Sequence, residues 1–260
     1  MKAWLHYIAE IIGRFDLVSV VELRDNIEDL AQVLGYLGPS WDVVFSDYIS
    51  DAGGNHERIG FVFDRRAVTF TGLASNAEAP RKKVGDEYLP TIDWWRPPFM
   101  ASFRSGAVDF VLLAAHIRWA GTDDGVRLPE IEMLADWVKK RTHEAFIGHK
   151  DWLVVGDFNI PNTESPLYQA ITRRGLEVPK ALLGTHGTNL AEDKRYDQIL
   201  HLPQTRRVST RVKLGGVLDY YAGDFASLFP GRRLDKREFT YELSDHLPLW
   251  AQLATGQGHS

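Results

Sequence analysis

Eight polar side chains close or interrupt apolar runs along this 260-residue chain: Glu22, Glu57, His116, Asp157, Asn159, Asp197, Asp245 and His246. Carboxylates beside imidazoles can hold a hard cation, fix a water and move a proton near neutral pH. The densest stretch is Asp151 to Pro161, DWLVVGDFNIP. Trp152 to Val155 is apolar and β-branched and ends at Gly156, which predicts a buried strand breaking into a loop, with Asp157 and Asn159 just past its end. A carboxylate and a carboxamide two residues apart, with Phe158 turned the other way, offer an acceptor and a donor to one small volume. That suits a water held beside a phosphate.

Each residue also has a structural explanation. A lone D-x-N is more often an Asx turn. Glu22 could stabilise the start of a following helix, His116 could be a core histidine, Asp197 could pair with Arg195 or Lys194, and Asp245 with His246 could form a turn. Taken together, the eight favour a site.

The elements that must position them follow from periodicity. Trp4, Ile8, Ile11 and Ile12 recur at helical spacing up to Gly13, and Ile27, Leu30, Ala31, Leu34 and Leu37 mark a second helix closed by Gly38 and Pro39. Between them, Leu17 to Val21 reads as a strand delivering Glu22. Trp41 to Phe45, Ile59 to Phe63 and Val68 to Phe70 read as strands, with DAGGN at 51–55 as a turn. Ser75 to Trp95, broken by Pro80 and Pro90, reads as a long surface loop. Phe99 to Phe103 and Val108 to Ile117 read as strands paired around RSGA.

Ile131, Leu134, Ala135 and Val138 mark the next helix, and 162–174 a shorter one. Thr185 to Asn189 suits a loop leading to a strand at Tyr196 to Leu200. Val208 to Val212 and Leu247 to Leu253 complete the strand candidates, GRRLDKRE at 231–238 reads as a basic loop, Phe239 to Leu243 leads into SDH at 244–246, and the tail from Thr255 reads as frayed. Strands alternating with helices, plus short hairpins, predict an α/β layered fold with mostly antiparallel pairs in one domain over 1–260.

With 44% hydrophobic content the chain can bury one large core. Its net charge of −5 gives no general attraction to nucleic acid, so phosphate binding requires local arginines and lysines. The absence of cysteine excludes disulfides, thiolate metal sites and a thiol nucleophile. No apolar run reaches membrane-spanning length, and Met1 to Gly13 carries His6 and Glu10 within its apolar pattern, unlike a signal peptide. The composition leaves the compartment unknown.

The motifs VVELRDN, HERIGFVFD, RPPFMASF, FVLLAAHI, WLVVGDFN, RYDQIL and SDHLPL, in this order between Phe15 and Leu253, resemble the endonuclease/exonuclease/phosphatase superfamily, with deoxyribonuclease I-like proteins nearest. The resemblance implies a four-layered α/β sandwich with two packed, mostly antiparallel sheets flanked by helices. It implies that Glu22 and Asp245 serve a Mg²⁺ or Mn²⁺ site and that His116 and His246 are catalytic. Glu57 and Asp197 would orient these imidazoles and raise their pKa. Asp157 would position or deprotonate a water, Asn159 would bond a phosphate oxygen, and Arg24 and Arg96 would face the substrate. The implied reaction is in-line attack of water on a phosphodiester, with DNA among the substrates and a monomeric enzyme without membrane insertion.

Three departures qualify that expectation. The family usually opens with a strand whose Asn helps bind metal, and that strand is missing before the Trp4 to Ile12 helix. Val21 stands where Gln is frequent, and Asn55 and His56 replace an aromatic and a basic residue that touch DNA. Two other readings stay open: a lipid or sugar phosphoesterase of the same superfamily, with Trp94 and Trp95 as an interfacial loop, and a non-catalytic relative impaired by loss of the first strand.

Overall fold

The computed structural model describes residues 3–24, 26–48, 56–91, 94–121, 124–144, 148, 151–202, 211–221, 235, 238, 240–241 and 243–256. Helix α1 (Ala3–Ile12) turns Leu5, Ala9 and Ile12 inward, and α2 (Glu28–Leu37) turns Val33 inward before ending at Gly38, whose φ of 97° suits glycine. They cover the outer face of a three-stranded antiparallel sheet ordered β1-β3-β2, built from β1 (Leu17–Leu23), β2 (Trp41–Phe45) and β3 (Arg58–Asp64).

A second sheet runs β10-β9-β8-β7-β4, built from β4 (Thr69–Asn76), β7 (Phe99–Ser105), β8 (Val108–His116), β9 (Trp152–Asp157) and β10 (Asp197–His201). Its pairs are antiparallel except β8 with β9. A parallel pair needs a crossover, and α3 (Asp124–His143) supplies it, with α4 (Pro166–Arg173) packed beside it.

The two sheets meet face to face through Phe61, Phe63, Phe99, Phe103 and Phe110. Phe61 stacks on Phe99 at 5.4 Å and meets Phe103 edge-on at 5.8 Å. The outer face of β8 and β9 packs on α3 and α4 through Leu113, Val154, Ile131, Leu134 and Ile171. Helix, sheet, sheet and helix thus form the expected four layers. No helix among the described residues is long and apolar enough to cross a membrane.

Two small units complete the chain: β5 (Arg81–Val84) with β6 (Glu87–Pro90), and β11 (Val212–Val217) with β12 (Leu249–Leu253). Among the described residues β1 pairs only with β3 and β12 only with β11, so each leaves one edge without a ladder partner. Helix α1 bridges the three-stranded sheet and the residues flanking β11 and β12. Leu5 and Ile12 pack over β3's Val62, while Tyr7 packs on Tyr220 and Leu247 and donates its hydroxyl to Tyr220 O at 2.9 Å.

Several expectations are corrected. Ser75 to Trp95 is not one long loop: β4 runs to Asn76, and a fully exposed hairpin, turning at Gly85, spans Arg81 to Pro90. Because that hairpin projects into solvent on both faces, its polar sequence hides the strand pattern. Gly156 does not end its strand. It lies inside β9 with φ 120°, where a Cβ would meet Ala115 O at 2.1 Å, so β8 and β9 can approach only because the residue is glycine. The strand expected at 208–212 is Val212–Val217, and 208–210 lie outside the described residues. The turn at 51–55, most of 231–238, and Phe239 and Glu242 also lie outside them.

Candidate active site

Strand register assembles the site. His116 ends β8 opposite Asp157, which ends β9, and Asp157 in turn lies opposite Asp197 at the start of β10. One cross-strand row thus carries an imidazole and two carboxylates. Glu22 arrives from β1 with φ 60°, at a register shift between Val20 and Leu23. Glu57 precedes β3, and His246 arrives just before β12 through a bridge to Asn189.

Two groups form, each with ligand atoms within 4.8 Å of one another: Glu22 with Glu57 and His116, and Asp157 with Asp197 and His246. In the first, His116 Nε2 lies 3.7 Å from both Glu22 Oε1 and Asp157 Oδ2, and Nδ1 lies 3.5 Å from Glu57 Oε2. These are charge contacts too long for good hydrogen bonds. Glu57 Oε2 instead meets Arg96 Nη2 at 2.7 Å. Burial, with Arg96 and His246 adding, lowers the His116 pKa to about 3. The expectation that Glu57 raises it is therefore corrected: the guanidinium engages that carboxylate, and the buried imidazole is neutral near pH 7.

The second group behaves oppositely. His246 Nδ1 donates to Asp197 Oδ2 at 2.7 Å. Burial alone would lower the His246 pKa, but the Asp197 hydrogen bond and the charges of Asp197, Asp157 and Asp245 outweigh it and raise the value to about 10. Thr188 Oγ1 accepts from Asp197 N at 3.1 Å, and the Tyr196 ring stacks on His246 at 5.7 Å, so both members are held from behind. Burial, with Asp197 and Glu22 adding, raises the pKa of Asp157.

Asn159 is buried and braces loops. Its N–H donates to Asp157 Oδ1 at 2.8 Å and its Nδ2 to Ile117 O at 2.7 Å, while Arg127 Nη1 donates to its carbonyl at 2.7 Å. One amide N–H is thereby committed, leaving one for other partners. Arg24 is exposed, and its carbonyl accepts from Arg58 Nη1 at 3.0 Å. Asp245 is exposed and stands outside both groups, acting on Glu22 and His246 through its charge.

The donor set fits a hard divalent cation at Glu22. Its side chain is 58% exposed, and partial burial, with Glu57 and Asp245 beside it, raises its pKa. A cation would offset that crowding of negative charge. Glu57 is already engaged by Arg96, and Asp245 acts on Glu22 through its charge without belonging to that ligand group.

Sequence reasoning did not assign Glu130, Arg127 or Tyr196. Glu130, 6% exposed on α3, accepts from Trp95 N at 3.1 Å and so ties that helix to the segment carrying Arg96. Burial raises its pKa to about 7 against the Trp95 hydrogen bond and the charges of Arg118 and Arg96. An acid adjoining Ile131 and Leu134 on the apolar face was the available signal. Trp94 is buried and only Trp95 is exposed, so the pair does not form an interfacial loop. A groove of 410 Å³ lined by Met133, Trp137 and Lys140 contains none of the site residues, and Arg174 there is engaged by Glu132 and Asp136.

No protein-family model and no curated protein matches the chain. Solved structures do. An endonuclease/exonuclease/phosphatase family protein from Bacteroides thetaiotaomicron is 18% identical at TM-score 0.61, covering 98% of this chain and 89% of that one. A mannosyl-6-phosphatase of the same species is 18% identical at TM-score 0.62, covering 96% and 91%. A 3′-5′ exonuclease from Neisseria meningitidis is 15% identical at TM-score 0.57, covering 96% and 94%. The chain therefore has the endonuclease/exonuclease/phosphatase fold.

Proposed function

We infer that this protein is a metal-dependent phosphoester hydrolase acting on phosphodiesters in the manner of a deoxyribonuclease I-like nuclease. The observation that carries the reading is a buried, raised-pKa Asp157 opposite Asp197 in one cross-strand row, with a charged His246 held on Asp197 beside it. Asp157 Oδ1 accepts from Asn159 N, leaving Oδ2, which faces His116, to take a proton from an attacking water. Asp197 fixes His246 through Nδ1, so its Nε2–H is presented to a phosphate or leaving-group oxygen and opposes the charge that builds there. Neutral His116 completes the pocket as a hydrogen-bonding group. Arg24 and Arg96 are the arginines assigned to the substrate. Mg²⁺ or Mn²⁺ held by Glu22 and Asp245 would supply Lewis acidity at the phosphate.

The test is release of nitrophenolate from bis(4-nitrophenyl) phosphate, and of fragments from DNA, in Mg²⁺ or Mn²⁺. His246→Ala and Asp157→Ala should each lower the rate about a thousandfold. Undiminished activity in either variant would remove the assignment. The phosphatase activity named for one structural neighbour supports a second reading, a sugar phosphomonoesterase. Turnover of mannose 6-phosphate without turnover of the diesters would select it.

A further inference from the structure

Two tryptophans stand in water at the rim of this site. Trp119 is 60% exposed and Trp95 46% exposed, although burying such rings is among the larger gains available to a fold. Trp119 lies three residues past His116 and is two ring contacts from His246: its ring meets Tyr196 edge-on at 5.7 Å and 78°, and Tyr196 stacks on His246 at 5.7 Å. Its loop is pinned rather than loose. Asn159 Nδ2 holds Ile117 O at 2.7 Å, and Arg127, only 2% exposed, donates to Gly121 O at 3.0 Å.

We propose that Trp119, set square to Tyr196, is a stacking subsite for a nucleobase next to the phosphate being cleaved. The proposal rests on the hydrolase reading above and narrows its substrate to nucleotide esters. A pinned indole needs no ordering when a flat ring settles on it, so little of the stacking gain is lost. The guanidinium of Arg127 sits 5.7 Å over the Trp119 ring and draws on its π density. That weakens the ring for the C–H contacts of a sugar while leaving it suited to a base. The same pattern recurs alongside, where Arg118 Cζ lies 4.6 Å over Trp95. The charge of Arg118 reaches the buried Glu130, and its guanidinium would offer an N–H edge to a second phosphate of the same strand.

The experiment compares two esters with the same leaving group, thymidine 5′-(4-nitrophenyl phosphate) and methyl 4-nitrophenyl phosphate. The wild-type protein should prefer the thymidine ester in kcat/KM. Trp119→Ala should lower that preference about tenfold, chiefly through KM, and Trp119→Phe should restore most of it. An unaltered preference, or equal losses on both esters in Trp119→Ala, would overturn the subsite. If the wild type cleaves neither ester, equilibrium binding of the dinucleotide d(TpT) in Mg²⁺ decides. Binding weakened about tenfold in Trp119→Ala would keep the subsite while the hydrolase reading falls. Binding indifferent to Trp119 would remove it, as would Trp119-dependent binding of mannose 6-phosphate in place of d(TpT).

Discussion

The five-stranded sheet and the three-stranded sheet carry different halves of the site, and they are built to different standards. In β8 every residue but Asp109 is buried, whereas no residue of β1 is. His116 and Asp157 therefore end strands clamped between a phenylalanine core and two helices. Glu22 lies near the end of a half-buried strand, on a bulge, and among the described residues that strand has one edge without a ladder partner and its Ser19 hydroxyl has no hydrogen-bond partner. Groups that must hold a proton at a set distance sit where packing permits little motion. The proposed cation ligand sits where the backbone can shift.

The sharpest way to break this comparison is a methyl group in each sheet. Gly156→Ala forces a Cβ onto the Ala115 carbonyl at positive φ and should cost about 3 kcal/mol or more in urea unfolding. Gly60→Ala in β3 would crowd the movable Leu23 side chain at 2.7 Å, with Phe45 Cβ next at 3.4 Å, and should cost about 1 kcal/mol. Equal costs would mean that the two sheets are equally rigid.

Glu22→Gln should act on function and hardly on folding. The Mg²⁺ concentration for half-maximal activity should rise on the order of a hundredfold, while the melting temperature without metal stays the same or rises slightly, because the variant relieves crowding with Glu57 and Asp245. A lowered melting temperature with unchanged metal dependence would make Glu22 structural.

The smallest effect concerns Glu130, which braces the clamped half. Its carboxyl titrates at about 7 in the folded chain against an ordinary 4.5. Between these values the folded state holds the proton more tightly than the unfolded one, so stability falls as pH rises through the window. Glu130→Gln keeps an acceptor for Trp95 N but cannot ionise. Its melting temperature should match wild type at pH 4 and exceed it at pH 8; equal melting temperatures at both would show that Glu130 is not buried as an acid.

Much of the frame was legible in residue order. The helical spacing of Ile131, Leu134, Ala135 and Val138 and the run at Trp152 to Val155 placed the crossover and the central strand, because burial on one face leaves a local period. The Arg81 to Pro90 hairpin was illegible because it has no buried face to leave that mark. The residue types of the site were legible too, since carboxylates and histidines closing apolar strands are unusual.

What each polar group does was not legible. Chain order brought His116 and His246 forward as equals, yet one is neutral and the other charged. The difference arises because Arg96, 39 positions beyond Glu57, engages that carboxylate at 2.7 Å, whereas Asp197 is left for His246. Periodicity is a property of neighbours along the chain, so the sequence alone determined the strands and helices that bury a face, and not those exposed on both sides. Ionisation depends on desolvation and on charges a few ångströms away, whatever their separation along the chain, and only the packed tertiary structure decided those.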